Sequence, residues 1–295
     1  MLIGELSALA TAVCWSGSSI SFAEASLLIG SVRVNVTRLV LAGLLLAITI
    51  ILFAVPVDLT SSQIADLFIS GILGLVFGDS FLFKSYEYNG PRISALVMSS
   101  APAIAGVLAY VFLHESLSSV AAGGMFITLT GIGLVVLSRQ ETAGKFRGIT
   151  ARGILFAFLG ACGHAGGLIT AKMAFNQGPI NGLAATFVRI VSALLLLIPI
   201  SVASKRFLAP WKLYVAKRKA FGLTLLGAIL GPYCGITFSL VVIQHAKVAV
   251  AATIMATVPI IMLPLVKLIY REALNWRAYA GAFIAVAGVA ILFLI

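Results

Sequence analysis

Residues Ser94 to Leu137 are written twice in this chain, and no other feature limits its fold as much. Met98, Pro102, Glu115, Leu117, Gly124 and Gly131 return as Met255, Pro259, Glu272, Leu274, Gly281 and Gly288, each 157 positions later. Carried without a gap from Gly71 to Ser138, the offset gives 18 identities in 68 positions and ends on Ile295. Upstream, the small-residue run Cys14-Trp15-Ser16-Gly17-Ser18-Ser19 corresponds to Gly160-Ala161-Cys162-Gly163-His164-Ala165-Gly166-Gly167 at an offset near 148, and Arg38 corresponds to Arg189. The drift follows from unequal loops, Pro56 to Gln63 in one copy and the longer basic Ser204 to Lys219 in the other. The chain therefore reads as a first repeat over 1–140, a polar surface linker over 141–152 and a second repeat over 153–295.

What each copy folds into is set by its apolar content, because 61% of the residues are hydrophobic and only 10% charged, against roughly 45–50% and 25% in soluble chains. Apolar runs of about 20 residues, enough to span a bilayer as helices, recur at Leu2–Ile29, Val34–Val55, Ile64–Phe83, Ile93–Leu113, Val120–Ser138, Gly153–Phe175, Leu183–Ala203, Phe221–Ile243, Val248–Ile269 and Tyr279–Ile295. The expected fold is an all-α membrane protein of ten transmembrane helices, five per copy. A transmembrane barrel needs short alternating segments, and nothing here alternates. The first run is expected to be retained, since no Lys or Arg precedes it and no small-residue cleavage pattern closes a short apolar core. Cys14, Cys162 and Cys234 all fall within runs and lack disulfide or metal-like spacing.

The net charge of +11 sits between the runs and forms no soluble basic face, so it speaks for topology and against nucleic acid. The connections after runs one, three, five, seven and nine hold 16 of the 20 Lys and Arg, while Lys172 and Lys247 are the two on the other side. The positive-inside rule then puts both termini outside the cytoplasm. Five helices is an odd number, so the second copy enters the membrane the opposite way up, an arrangement that in transporters surrounds a midplane site open to each side in turn.

An ionisable group inside a membrane costs about 2.5–3.5 kcal/mol on insertion scales, so each one needs a reason. Asp79, between Gly78 and Ser80, corresponds to Ile236 in the second copy, and the fold alone does not demand it. It is expected either to face the cavity, holding a proton or a cationic group, or to pair with Arg38 or Lys84. His164 and Glu24 are the other candidates for proton coupling, with Glu24 read first as a solvated residue near the surface. Arg38 and Arg189, being duplicated, are expected to share a structural role at helix ends or lipid phosphate. Glu115 and Glu272 precede a new helix, where a carboxylate accepts orphan backbone donors. The expected cavity lining is Trp15, Ser16, Ser19, Asp79, Ser99, Ser100, His164, Tyr233 and Thr257, with Gln244 less central. Pro102 and Pro259 are expected to kink their helices and free a carbonyl.

The tandem five-helix plan, the prolines at 102 and 259, Glu115-Ser-Leu and Glu272-Ala-Leu, the glycine pairs, and Gly78-Asp79 with Gly90-Pro91-Arg92-Ile93-Ser94 resemble the EamA-type members of the drug/metabolite transporter superfamily. The resemblance spans the whole chain. It implies carriage of a small organic solute such as an amino acid, purine, sugar or drug, often outward. It also implies cytoplasmic termini, and there the Lys and Arg distribution of this chain points the other way.

No G-x-S-x-G elbow, nucleotide-binding loop, H-E-x-x-H or Cys/His cluster is present, so no enzyme, metal or cofactor is expected and ATP is not the direct energy source. The reading is a secondary transporter, an exporter by alternating access, of a metabolite, amino acid or drug-like solute. Its expected partners are that solute, membrane lipid and protons as coupling ion, with no nucleic acid, in a monomer or homodimer of the cell membrane. The alternative is a non-transporting membrane protein on the same fold, such as a scramblase or assembly partner.

Overall fold

The computed structural model describes residues 2–112, 118–137, 149–207, 210–235, 238, 257–271 and 274–294. All regular structure among them is helical. The first copy runs α1 (Leu2–Ile29), α2 (Ser31–Leu52), α3 (Ser61–Gly71), a π-helical turn π1 (Ile72–Gly78), α4 (Asp79–Met98), α5 (Ala101–Phe112) and α6 (Ser119–Leu137). The second runs α7 (Ala151–Asn176), α8 (Gly182–Ala203), a short α9 (Pro210–Ala216), α10 (Arg218–Ala228), π2 (Ile229–Gly235), α11 (Val258–Tyr270) and α12 (Trp276–Leu294). Five described stretches are long and apolar enough to cross a membrane: Leu6–Ile29, Ser31–Leu52, Ser61–Met98, Ala151–Asn176 and Gly182–Ala203. Ala101–Phe112, Ala122–Val135, Val258–Tyr270 and Trp276–Ile291 are shorter apolar helices. Glu115, Glu272 and Gln244 lie outside the described residues.

Two of the joins in the first copy are turns that only glycine makes easily. Gly30, at φ 88°, separates α1 from α2, and Gly90, at φ 72°, breaks α4 into two rods that meet end to end. The sequence run ending at Phe83 is therefore too short, because the helix continues through the polar residues 84–89. Those residues are helical because each has a partner. Lys84 Nζ bonds Glu87 Oε2 at 2.5 Å, and Glu87 Oε1 accepts from Ser31 N at 2.6 Å. Asn89 Oδ1 accepts from Thr150 N at 2.9 Å, and Ser85 Oγ donates to Gly153 O at 2.8 Å. Together with Lys217 Nζ, which donates to Leu28 O at 2.5 Å, these contacts gather the basic connections at one end of the bundle. Pro102 sits just past Ser99 and Ser100, where the helix tightens to a Ser100 N to Val97 O bond of 3.0 Å before restarting at Ala101. Pro259 stands in the first turn of α11.

The duplicated glycines mark where the copies meet. A Cβ on Gly131 would lie 2.4 Å from Ala285 N, one on Gly281 2.6 Å from Gly131 O, and one on Gly288 2.4 Å from Thr128 N and 2.6 Å from Gly124 O. As the position on α6 rises from 124 to 131, the position it meets on α12 falls from 288 to 281, so the helices are antiparallel. Thr128 corresponds to Ala285 in the repeat, and its Oγ1 approaches Ala285 O at 3.4 Å, so the crossing lies on the pseudo-two-fold axis. Equivalent helices that cross antiparallel belong to copies of opposite sense. In lipid, where burial of apolar surface gives no preference for one helix over another, such close backbone approach drives association.

The same logic builds two more seams. A Cβ on Gly163 would come 2.5 Å from Gly78 Cα, and one on Gly167 2.9 Å from Gly74 N, so α7 lies directly on π1. In the other half, Gly235, Gly231 and Gly227 of α10 and π2 face Trp15, Ser18 and Phe22 of α1. Each pairing is the repeat image of the other, with Trp15 standing where the second copy has Gly163.

Candidate functional site

Both π turns occupy the same repeat positions, 72–78 and 229–235, 157 residues apart. A π turn inserts a residue into the helical register, and such turns concentrate at functional sites. π1 delivers Asp79 at its end. The carboxylate is 3% exposed and held from both sides of the repeat. Oδ2 accepts from Arg38 Nη2 of α2, and Oδ1 lies 2.9 Å from His164 Nε2 of α7.

Arg38 is fixed in turn. Its Nε donates to Asn35 Oδ1 at 3.1 Å, and Asn35 Nδ2 reaches Ser80 Oγ at 3.4 Å. The guanidinium lies 4.7 Å from the Phe83 ring centroid and 5.5 Å from that of Phe22, where each aromatic face attracts a cation. Of the two partners proposed for Asp79 from sequence, Arg38 is the one it meets, while Lys84 turns to Glu87. His164 is the open member of the group, its side chain 34% exposed against 5% for Asp79. Gly78 makes the approach feasible, since a Cβ there would sit 2.9 Å from His164 Cδ2.

Arg189 is used differently from Arg38, although their duplication suggested one structural role. It lies half-buried on α8, with Nη2 3.1 Å from where a Gly74 Cβ would be, one turn before Asp79. Its Nε is buried and finds no acceptor, and among the described residues it makes no ion pair. The charge of Asp79 reaches it, but Asp79 is occupied by Arg38 and His164. The repeat partner that would answer it is Ile236 by sequence.

The remaining candidates scatter. Ser16, Ser99 and Ser100 spend their hydroxyls on the carbonyls of Ala12, Leu96 and Val97, a common fate of hydroxyls within helices. Ser19 Oγ donates to Trp15 O at 2.8 Å and receives Tyr86 OH at 3.2 Å. Trp15 packs its indole on Gly235, Tyr233 OH lies 3.1 Å from Thr49 Oγ1, and Thr257 stands at the N-terminal boundary of α11 without a side-chain capping bond. Glu24 is 8% exposed, buried and not solvated as expected, because α10 and α11 cover that face of α1. It lines a cavity of about 600 Å³ with Gly17, Ser21, Lys219 and Tyr270 among others. That cavity opens between α1, α10 and α11 and is bordered by none of Asp79, His164 or Arg189. The pairing of Asp79 with His164 and the solitude of Arg189 were not readable in advance. The repeated I-L-G-x-x-x-G of both π turns was the one signal that could have pointed there.

The model of the EamA-like transporter family matches residues 2–137 and 151–294. Among curated proteins none matches the chain. Twenty-seven chains of solved structures match its fold. One, a crystal structure described only as that of a protein, aligns with a TM-score of 0.65 at 16% identity over 99% of this chain and 96% of the other. At that identity the likeness speaks for the fold alone.

Proposed function

The chain belongs to the EamA-like transporter family, and from that premise we propose that it is a secondary transporter which exports a small organic solute by alternating access. The observation that carries the reading is the Arg38–Asp79–His164 group, which joins helices of both copies around one buried carboxylate. Charges at such depth are retained for substrate and proton pathways or for pairing, and here one group does both. Arg38 neutralises Asp79 from the first copy. His164, the exposed member, exchanges protons from the second.

The proposed architecture is ten membrane spans in two inverted five-helix copies, with 1–140 and 153–295 as the units. Close seams bind α3–π1–α4 to α7 and α10–π2 to α1, so the moving bodies are mixed bundles, each taking helices from both copies. Arg38 belongs with α1 and α2, and Asp79 with π1 and α7, so their ion pair bridges the bundles. It makes or breaks as one bundle rocks against the other. Proton binding at Asp79 and His164 weakens it and couples the motion to the proton gradient. The outward direction rests on the family resemblance.

An untargeted comparison of solutes inside and outside cells with and without the protein tests this. A set of solutes that moves outward only with the wild type, and not with an inserted Asp79→Asn variant, is the expected result. No protein-dependent solute, with insertion verified, would leave the scaffold reading in its place.

A further inference from the structure

We infer that the solute carries a carboxylate, and that Arg189 binds it. The inference rests on the transporter reading and names the chemistry of its substrate. Two arginines and one aspartate line the two faces of π1 and the turn that follows it, which leaves one positive charge over when His164 is neutral. Arg38 and Asp79 cancel. Among the described residues, Arg189 is left with a buried Nε that no group accepts from and no acid within ion-pair distance. A guanidinium at such depth without a counter-ion is costly, and an anion that docks there removes the cost.

The repeat makes the vacancy specific. In the first copy, the helix after the second span supplies Asp79 to the duplicated arginine. In the second, the same position is Ile236, so the acid that would complete the pair is missing there, and the cargo supplies it. Gly74, opposite the guanidinium, and Gly167, whose Cα lies 3.9 Å from the same Gly74 Cβ position, keep side-chain bulk away from it. A carboxylate fits this group in particular, because the planar fork of arginine offers two parallel donors to two oxygens.

Cells that carry wild type, Arg189→Gln, Arg189→Lys or no protein are grown on uniformly ¹³C-labelled glucose, and labelled solutes in medium and cytoplasm are compared. The expected wild-type set consists of carboxylates, and their export falls roughly 10- to 100-fold in Arg189→Gln, the range of a charge-assisted hydrogen bond. Arg189→Lys, which keeps the charge without the fork, falls between. A wild-type set without acid groups, or carboxylate export unchanged in Arg189→Gln, overturns the inference and leaves the transporter reading standing. No wild-type set at all overturns both. If Arg189→Gln fails to insert, the purified wild type decides through its melting temperature. Benzoate raises it and benzamide does not if the inference holds, and an equal effect of the two overturns it.

Discussion

His164 Nε2 lies 2.9 Å from Asp79 Oδ1, and this contact ties the second copy to the only acid that the described part of π1 and its flanking turn presents. The other oxygen of the same carboxylate belongs to Arg38, so one buried group of 3% exposure receives a partner from each repeat. The two ties differ in kind. Arg38 closes its side of the carboxylate, whereas His164 is the more open partner, its side chain 34% exposed against 5% for Asp79.

Asp79→Asn is expected to lower stability by about 3–5 kcal/mol, the usual result of leaving a buried charge without its partner. The double variant Asp79→Asn with Arg38→Gln should regain a part of that loss, because the stranded guanidinium is gone. Thermal unfolding of the four proteins in one detergent forms the cycle. A double variant as unstable as the sum of the singles would mean that the two residues do not interact.

His164→Gln should leave the protein inserted and flatten the pH dependence of transport, as the proposed proton coupling through the more open member of the group requires. Gly78→Ala should mimic it, because the new Cβ would fall 2.9 Å from His164 Cδ2 and 3.0 Å from His164 N, and would push the ring from Asp79. Efflux measured across a pH series checks both, and a pH profile identical to that of the wild type in either variant would remove His164 from the mechanism.

Gly131→Ala is expected to destabilise by about 1–3 kcal/mol, as overpacking of a tight contact does, because the added carbon meets Ala285 N at 2.4 Å. Gly133→Ala on the same helix has nothing within 4 Å of its Cβ and should be tolerated. The difference in melting temperature between the two variants reads the α6–α12 crossing directly.

Both termini are expected on the non-cytoplasmic side, from the 16-to-2 distribution of Lys and Arg between the two sets of connections. Reporters fused to each end, one active only in the cytoplasm and one only outside it, measure this. Moving the excess charge should matter as well: removing the basic residues of the 205–219 connection is expected to raise the fraction of inverted molecules.

How much was legible beforehand is seen best at the glycines. The pairs Gly124/Gly131 and Gly281/Gly288 stood out as repeats without any reason attached, and the antiparallel α6–α12 crossing supplies it. Pro102 stands in the first turn of α5, which begins at Ala101. Glu24 was read as solvated from its residue type, when neighbouring helices bury it, and the run ending at Phe83 stopped short because the polar residues 84–89 find partners on other helices.

The sequence by itself determined that the chain is a helical membrane protein of two copies and, through the odd number of apolar runs per copy, gave reason to expect that the copies oppose each other. These depend on hydrophobic run length, repeat offset and Lys/Arg position, all of which are properties along the chain. Only the tertiary structure decided that Asp79 spends its two oxygens on Arg38 and His164 while Arg189 is left without an acid. Those pairings join residues 41 and 85 positions apart, and distances of that kind are fixed by how closely glycines let helices approach, which no local pattern encodes.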